Sequence, residues 1–200
     1  MTKLGKKILN AVSLGDGYVR ARVADNSYSI CICHSEKQKE YIEYKAKLVS
    51  EAVGKSVNVF EFNNSGHKAY RFEVACPYFK FVRKWLYKAK KKVISLSFLR
   101  RLDDRGVAIW YMDDGSLVAK KVGGKIHAFD LTISTYCSEQ EAENCIKFFA
   151  ERYGVKFTKK RNKGLFSIRC GTKEAKKLLQ VLDPYIIPSM RYKTFQTAGT

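Results

Sequence analysis

The sequence predicts an α+β fold built from two copies of one αββαββα unit, related by a pseudo-twofold axis. Three observations predict it. The first is a repeat: "KKILNAVSLGDGYVRARV" and "DRGVAIWYMDDGSLVAKK" both run from charged residues through an apolar helical stretch into Asp-Gly, then into a strand-like segment. Asp16 and Asp114 lie 98 positions apart in a chain of 200 residues. The second is a further parallel downstream of each copy, between "HSEKQKEYIEYKAKLVSEAVG" and "CSEQEAENCIKFFAERYGV". Both hold a serine that can cap, a glutamate next, a helical pattern and a glycine near the C-cap. The third is the alternation of polar and apolar residues between these helices, the mark of half-buried strands.

The first half then reads as helix 5–14, strands 17–24 and 28–34, helix 36–53, strands near 56–62 and 69–75, and a helix near 78–88. The second reads as helix 99–113, strands 116–121 and 126–134, helix 138–152, strands near 155–161 and 165–170, and helix 173–182. This makes residues 1–88 one half, 99–200 the other, and "AKKKVISLSF" at 89–98 the connection. The two Asp-Gly helices are expected to pack side by side at the centre, each half contributing a curved antiparallel sheet to a saddle.

Composition narrows the partner. The chain carries 38 Lys+Arg against 19 Asp+Glu, a formal net charge of +19, far beyond what solubility needs. A polyanion is the expected partner, and nucleic acid is favoured over a membrane because no stretch joins a continuous basic face to a long apolar one. No run reaches transmembrane length, and the opening "MTKLGKKILNAVSLGDG" reads as part of the fold rather than a cleaved leader. The six cysteines include no CxxC pair and there are only three histidines, so zinc-site spacing is absent. Cys31, Cys33 and His34 on one alternating strand suit packing better than chelation. Free thiols point to a reducing, intracellular compartment, bacterial cytoplasm or an organelle matrix, not secretion.

Strand faces locate candidate contacts to the polyanion. In "GYVRARV", Tyr18, Arg20 and Arg22 share one face, while Val19, Ala21 and Val23 share the core face. In "HAFDLTIS", Phe129, Leu131 and Ile133 face the core and Ala128, Asp130, Thr132 and Ser134 face outward. Lys120, Lys121 and Lys125 flank the hairpin before it. Lys159, Lys160, Arg161 and Lys163 surround a turn at Asn162 to Gly164, with Arg169 on the next strand. A two-stranded ribbon fits the major groove of a duplex, and arginine and lysine reach phosphates or base edges there.

The Asp-Gly helix ends carry the chemistry. The carbonyl end of a helix already bears partial negative charge, so Asp16, and Asp113 with Asp114, are disfavoured there by the dipole and by like charge. A divalent cation reverses the sign. Hard oxygen ligands without histidine or thiolate suit Mg²⁺, and the matching chemistry is two-metal phosphodiester hydrolysis.

"LNAVSLGDG" and "VAIWYMDDG", with "LGDGYVRAR" after the first and "PYIIPSMRYK" near the end, resemble the LAGLIDADG homing endonucleases in their single-chain, two-motif form. The wider pattern is similar to the subgroup that includes the yeast mitochondrial intron endonuclease, and the likeness covers essentially the whole chain. It implies that Asp16 and Asp114 are the metal-binding carboxylates, assisted by the carbonyls of Gly15 and Asp113. The Asp113 side chain is then dispensable. It further implies that Lys92 in "KKVIS" and Lys193 in "MRYK" lie near the scissile phosphates, either as catalytic groups or as plain phosphate contacts. Small residues at the helix seam, Ala11, Ser13 and Gly15, fit the family, whereas Trp110 and Tyr111 are bulkier and are expected to pack against their own sheet. The implied cofactor is Mg²⁺ with Mn²⁺ as substitute, and the implied partner is a long asymmetric double-stranded DNA target bound by a monomer. The competing reading is an RNA-binding intron maturase of the same fold. Both acidic motif ends favour the nuclease, because a pure binder has no use for that repulsion.

Overall fold

Thr2 opens the first helix: its Oγ1 accepts from the Gly5 amide at 3.0 Å, satisfying one of the orphan amides of α1 (Lys3–Leu14). The computed structural model describes residues 1–22 and 26–196. It divides into two compact units, Met1–Lys92 and Val93–Thr200.

In the first unit α1 is followed by β1 (Tyr18–Arg22), β2 (Ser27–Ser35), a 3₁₀ turn at Glu36–Gln38, α2 (Lys39–Val53), β3 (Phe60–Asn64), β4 (His67–Ala75) and α3 (Phe79–Leu86). A two-residue ladder, β5 (Tyr87–Lys88) with β6 (Lys91–Lys92), closes the unit. The second holds α4 (Leu96–Leu99), α5 (Asp104–Asp114), β7 (Gly115–Val122), β8 (Lys125–Cys137), α6 (Glu139–Tyr153), β9 (Thr158–Asn162), β10 (Leu165–Gly171) and α7 (Thr172–Leu182). Two 3₁₀ segments, Asp183–Tyr185 and Pro188–Lys193, come after α7.

The repeat extends to topology. Both four-stranded sheets are antiparallel, ordered β1-β2-β4-β3 and β7-β8-β10-β9, so each strand of one has a counterpart in the other. Alternation sets the faces as period two requires. Ile30 and Ile32 of β2 and Phe72 of β4 are fully buried beneath Tyr41, Ile42 and Val49 of α2 and Phe79, Val82 and Leu86 of α3. Leu131, Ile133 and Ile168 are buried likewise with Phe148 and Phe149 of α6 and Leu178 and Leu182 of α7. Each such large apolar side chain contributes about 1.5–3 kcal/mol on leaving water. Gly54 and Gly154, with φ of 73° and 61°, end α2 and α6 as the repeat predicts.

The differences are local. The helix expected from residue 99 starts at Asp104, because the Asp103 carboxylate accepts from the Gly106 amide at 2.9 Å and Leu96–Leu99 forms a separate turn. Strands expected near 56–62 and 155–161 begin at Phe60 and Thr158, where pairing with β4 and β10 begins. The expected extension of β1 through Val23 and Ala24 lies outside the described residues. Ala21 is exposed rather than core, near the end of β1, an edge strand. Phe129 is only half-buried, edge-on to Phe195 at 4.8 Å. Core packing holds for Cys137, Cys145 and Cys170 but not for Cys33, which is exposed, nor fully for Cys31 and Cys76. Trp110 and Tyr111 are fully buried, and Trp110 stacks on Phe149 of its own unit at 5.8 Å.

Candidate functional site

Each unit presents an aspartate at or just past a helix end, with a lysine on the helix's last carbonyls. In the first, α1 stops at Leu14 and the chain turns through Gly15, Asp16 and Gly17. The Gly17 amide donates to the Val12 carbonyl at 3.1 Å, a closure so tight that a Cβ on Gly17 would sit 2.1 Å from that oxygen. The Asp16 side chain is 40% exposed. The Lys92 ammonium donates to the Gly15 carbonyl, and to the Leu14 carbonyl at 3.2 Å.

Lys92 reaches that point because the β5–β6 ladder is pinned to β1. Tyr87 Oη accepts from the Val19 amide at 3.0 Å, and Arg83 donates to the Val19 carbonyl at 2.5 Å. These two side chains also occupy backbone groups of an edge strand that would otherwise be open to pairing. Burial, above all, pushes the Tyr87 phenol up, so it stays neutral in this role.

In the second unit α5 ends on Asp114, and a Cβ on Gly115 would lie 2.2 Å from the Tyr111 ring. The Lys193 ammonium donates to the carbonyls of Met112 at 2.5 Å and Asp113 at 3.1 Å. Tyr111 fixes that lysine's backbone, donating from Oη to the Lys193 carbonyl at 2.6 Å. The Tyr111 phenol is raised well above its ordinary range by burial and remains a donor. Trp110 Nε1 donates to Asp114 Oδ2 at 3.0 Å. The two lysines therefore do the same thing: each brings a positive charge to the last carbonyls of an acidic helix end, offsetting the adverse dipole.

Sequence reasoning missed two groups beside Asp16. His34 Nε2 lies 3.8 Å and Lys45 Nζ 3.9 Å from Asp16 Oδ2, and the two nitrogens are 3.0 Å apart. Both side chains are buried, Lys45 completely. The signals were present: alternation puts His34 on the face of Ile30 and Ile32, and helical spacing puts Lys45 beside Tyr41, Ile42 and Val49. A polar residue at a core position was the clue.

The basic sheet residues separate by face. Arg20 lies over the Tyr18 ring at 5.9 Å and 3.7 Å from Glu73, on the face opposite Val19, with Arg22 on the same side. In the second sheet Asp130 bridges Lys120 at 3.2 Å and Arg169 at 3.5 Å. Lys160 pairs with Ser167 and so shares the Arg169 face. Lys159 pairs with Ile168, turns towards the helices and meets Glu139 at 2.6 Å and Glu143 at 2.9 Å. Arg161 pairs with Phe166, on the Lys159 side. Lys121 and Lys125 lie exposed around the β7–β8 turn, and Lys163 sits at φ 47° in the β9–β10 turn.

Residues 7–178 match the model of the LAGLIDADG DNA endonuclease family. The chain is 34% identical over 108 residues to a probable intron-encoded DNA endonuclease of Mycosarcoma maydis, covering 52% of this chain and 72% of that one. It is 26% identical over 201 residues to a probable intron-encoded endonuclease of Wickerhamomyces canadensis, covering 96% and 84%. Among solved structures, the homing endonuclease I-WcaI bound to its DNA recognition sequence aligns with a TM-score of 0.77 at 23% identity, over 96% of this chain and 86% of that one, a likeness of fold. The matched model spans both helix ends and both sheets, and the chain belongs to the LAGLIDADG DNA endonuclease family, as a site-specific DNA endonuclease.

Proposed function

We propose that this chain makes a double-strand break in a long asymmetric DNA target by divalent-metal-dependent hydrolysis, with Asp16 and Asp114 as the metal-holding carboxylates. The observation that carries the reading is the repeated constellation: in each unit a carboxylate ends a helix whose last carbonyls already accept from a lysine ammonium. The lysines act as stand-in cations, and the donors are hard oxygens of carboxylate and carbonyl type. That set fits Mg²⁺ or Mn²⁺. When bound, the metal supplies an activated water and stabilises the leaving oxygen.

The chain's own residues do the rest. Asp16 and Asp114, with the carbonyls of Gly15 and Asp113, hold the cation. Lys92 and Lys193 exchange carbonyl for phosphate when DNA arrives and stabilise the negative charge that develops on the oxygens around the pentavalent phosphorus. Tyr18, Arg20, Arg22, Lys120, Lys160 and Arg169 track phosphates and base edges across the two sheets. Because the halves differ in sequence, the target need not be a palindrome, and one chain suffices. Several relatives are named as intron-encoded endonucleases, so the target is sought by joining the DNA that flanks the gene's intron or insertion.

A plasmid carrying that junction should be linearised by the parent protein with Mg²⁺ and left intact with EDTA. Asp16→Asn and Asp114→Asn proteins should bind it and not linearise it. Cutting at the parental rate by either variant overturns the metal assignment.

A further inference from the structure

Behind Asp16 lies a polar chain that runs from half-buried Gln38 through buried His34 to buried Lys45. His34 Nδ1 lies 2.9 Å from Gln38 Oε1, an oxygen that can only accept, so Nδ1 carries the proton and Nε2 presents its lone pair. Lys45 Nζ donates to that lone pair at 3.0 Å. The same nitrogen stands 4.4 Å over the Tyr41 ring and 3.9 Å from Asp16 Oδ2. The Lys45 side chain is 0% exposed and that of His34 2%, so this cationic centre acts through a medium that screens it weakly. Lysine at a core position costs desolvation that a hydrophobic residue avoids, so packing alone does not account for it. The Asp114 carboxylate is held differently, accepting from the uncharged Trp110 indole.

We propose that Lys45, oriented through His34 and Gln38, is a positioning residue for the Asp16 carboxylate that also sets how tightly that carboxylate holds a divalent cation. The inference rests on the reading of Asp16 as a metal ligand. Two effects of Lys45 oppose each other. Its charge competes with the metal for Asp16, weakening binding. Its fixed place, set by the hydrogen-bonded histidine and the aromatic ring, holds Oδ2 in one orientation, which favours the reacting geometry. Removing the charge therefore tightens metal binding and slows cutting, a split that a merely damaged site does not produce.

The test is Lys45→Met in the full chain bound to its target duplex. Mn²⁺ affinity is measured by the loss of the free-ion electron paramagnetic resonance signal, and the single-turnover cleavage rate is measured at saturating Mg²⁺. The expected result is Mn²⁺ binding roughly tenfold tighter in the Asp16-dependent component and cleavage at least about tenfold slower. Unchanged Mn²⁺ affinity, or weaker affinity together with slower cutting, overturns the proposal. If Asp16→Asn leaves Mn²⁺ binding at the parental value, the metal reading itself fails, whatever Lys45 does. Should Lys45→Met not fold by circular dichroism, the double variant His34→Leu with Lys45→Met replaces the polar pair by apolar groups and is judged by the same two outcomes.

Discussion

Single residues decide whether the acidic helix ends can exist. Gly17 and Gly115 are required by space rather than by a left-handed backbone: a Cβ would meet the Val12 carbonyl at 2.1 Å in one case and the Tyr111 ring at 2.2 Å in the other. Gly17→Ala is expected to destabilise by about 3 kcal/mol, read from urea midpoints, because the obstacle is backbone and cannot rotate away. A loss below ~1 kcal/mol would show that α1 yields easily at its end. Lys92→Met and Lys193→Met are each expected to cost about 1–2 kcal/mol in protein free of divalent ions, since each strips a charge from helix-end carbonyls that already face a carboxylate. Asp16 and Asp114 were singled out because the repeat aligns them, whereas Lys92 and Lys193 came from the family resemblance, and the structure places each lysine on the last carbonyls of its unit's acidic helix end. His34 and Lys45 were legible only as polar residues at core positions, by the alternation of "CICH" and the helical spacing of "YIEYKAKL"; nothing in either stretch tells that they meet each other and Asp16. The Trp110 hydrogen bond to Asp114 was hidden for the opposite reason: an aromatic ring at helical spacing looks like packing, and here it is packing with a donor at its edge.

Whole elements were more readable than their ends, and the two serines that precede the second helices show why. The sequence treats Ser35 and Ser138 as equals. Ser138 makes a full capping box: its hydroxyl takes the Glu141 amide, and Glu141 returns a carboxylate to the Ser138 amide at 2.9 Å. Ser35 makes no such bond, because a 3₁₀ turn at Glu36–Gln38 stands between it and α2. Ser138→Ala is therefore expected to cost about 1 kcal/mol in urea denaturation and Ser35→Ala a few tenths at most. Equal losses would mean that the turn is not populated in solution. The same reasoning covers the strands that begin late. Apolar alternation marks a stretch as extended, but β3 and β9 begin only at Phe60 and Thr158, where pairing with Arg71 of β4 and Arg169 of β10 begins. Pairing is a tertiary property, so the pattern predicts each strand's existence and not its first residue.

At the scale of the molecule the governing quantity is the net charge of +19, which makes DNA binding steeply dependent on salt because each neutralised phosphate releases condensed counterions. Charge alone does not say which cations take part, and neighbouring lysines in "KFTKKRNK" sit on opposite faces of their strand. Lys160 lies on the face of Arg169, away from the helices. Lys159 lies one residue away, on the other side of the strand, held by Glu139 at 2.6 Å and Glu143 at 2.9 Å. Those two carboxylates also hold the Lys159 ammonium firmly protonated, chiefly through the Glu139 hydrogen bond, so its charge is spent within the protein. Lys160→Gln is expected to weaken binding to a non-cognate duplex several-fold and to lower the slope of log affinity against log salt by about 1. Lys159→Gln is expected to leave that slope unchanged within error, because its ammonium is already engaged by Glu139 and Glu143. Fluorescence anisotropy across a salt series reads both variants, and equal slopes for the two would show that DNA wraps the edge of this sheet instead of lying on one face.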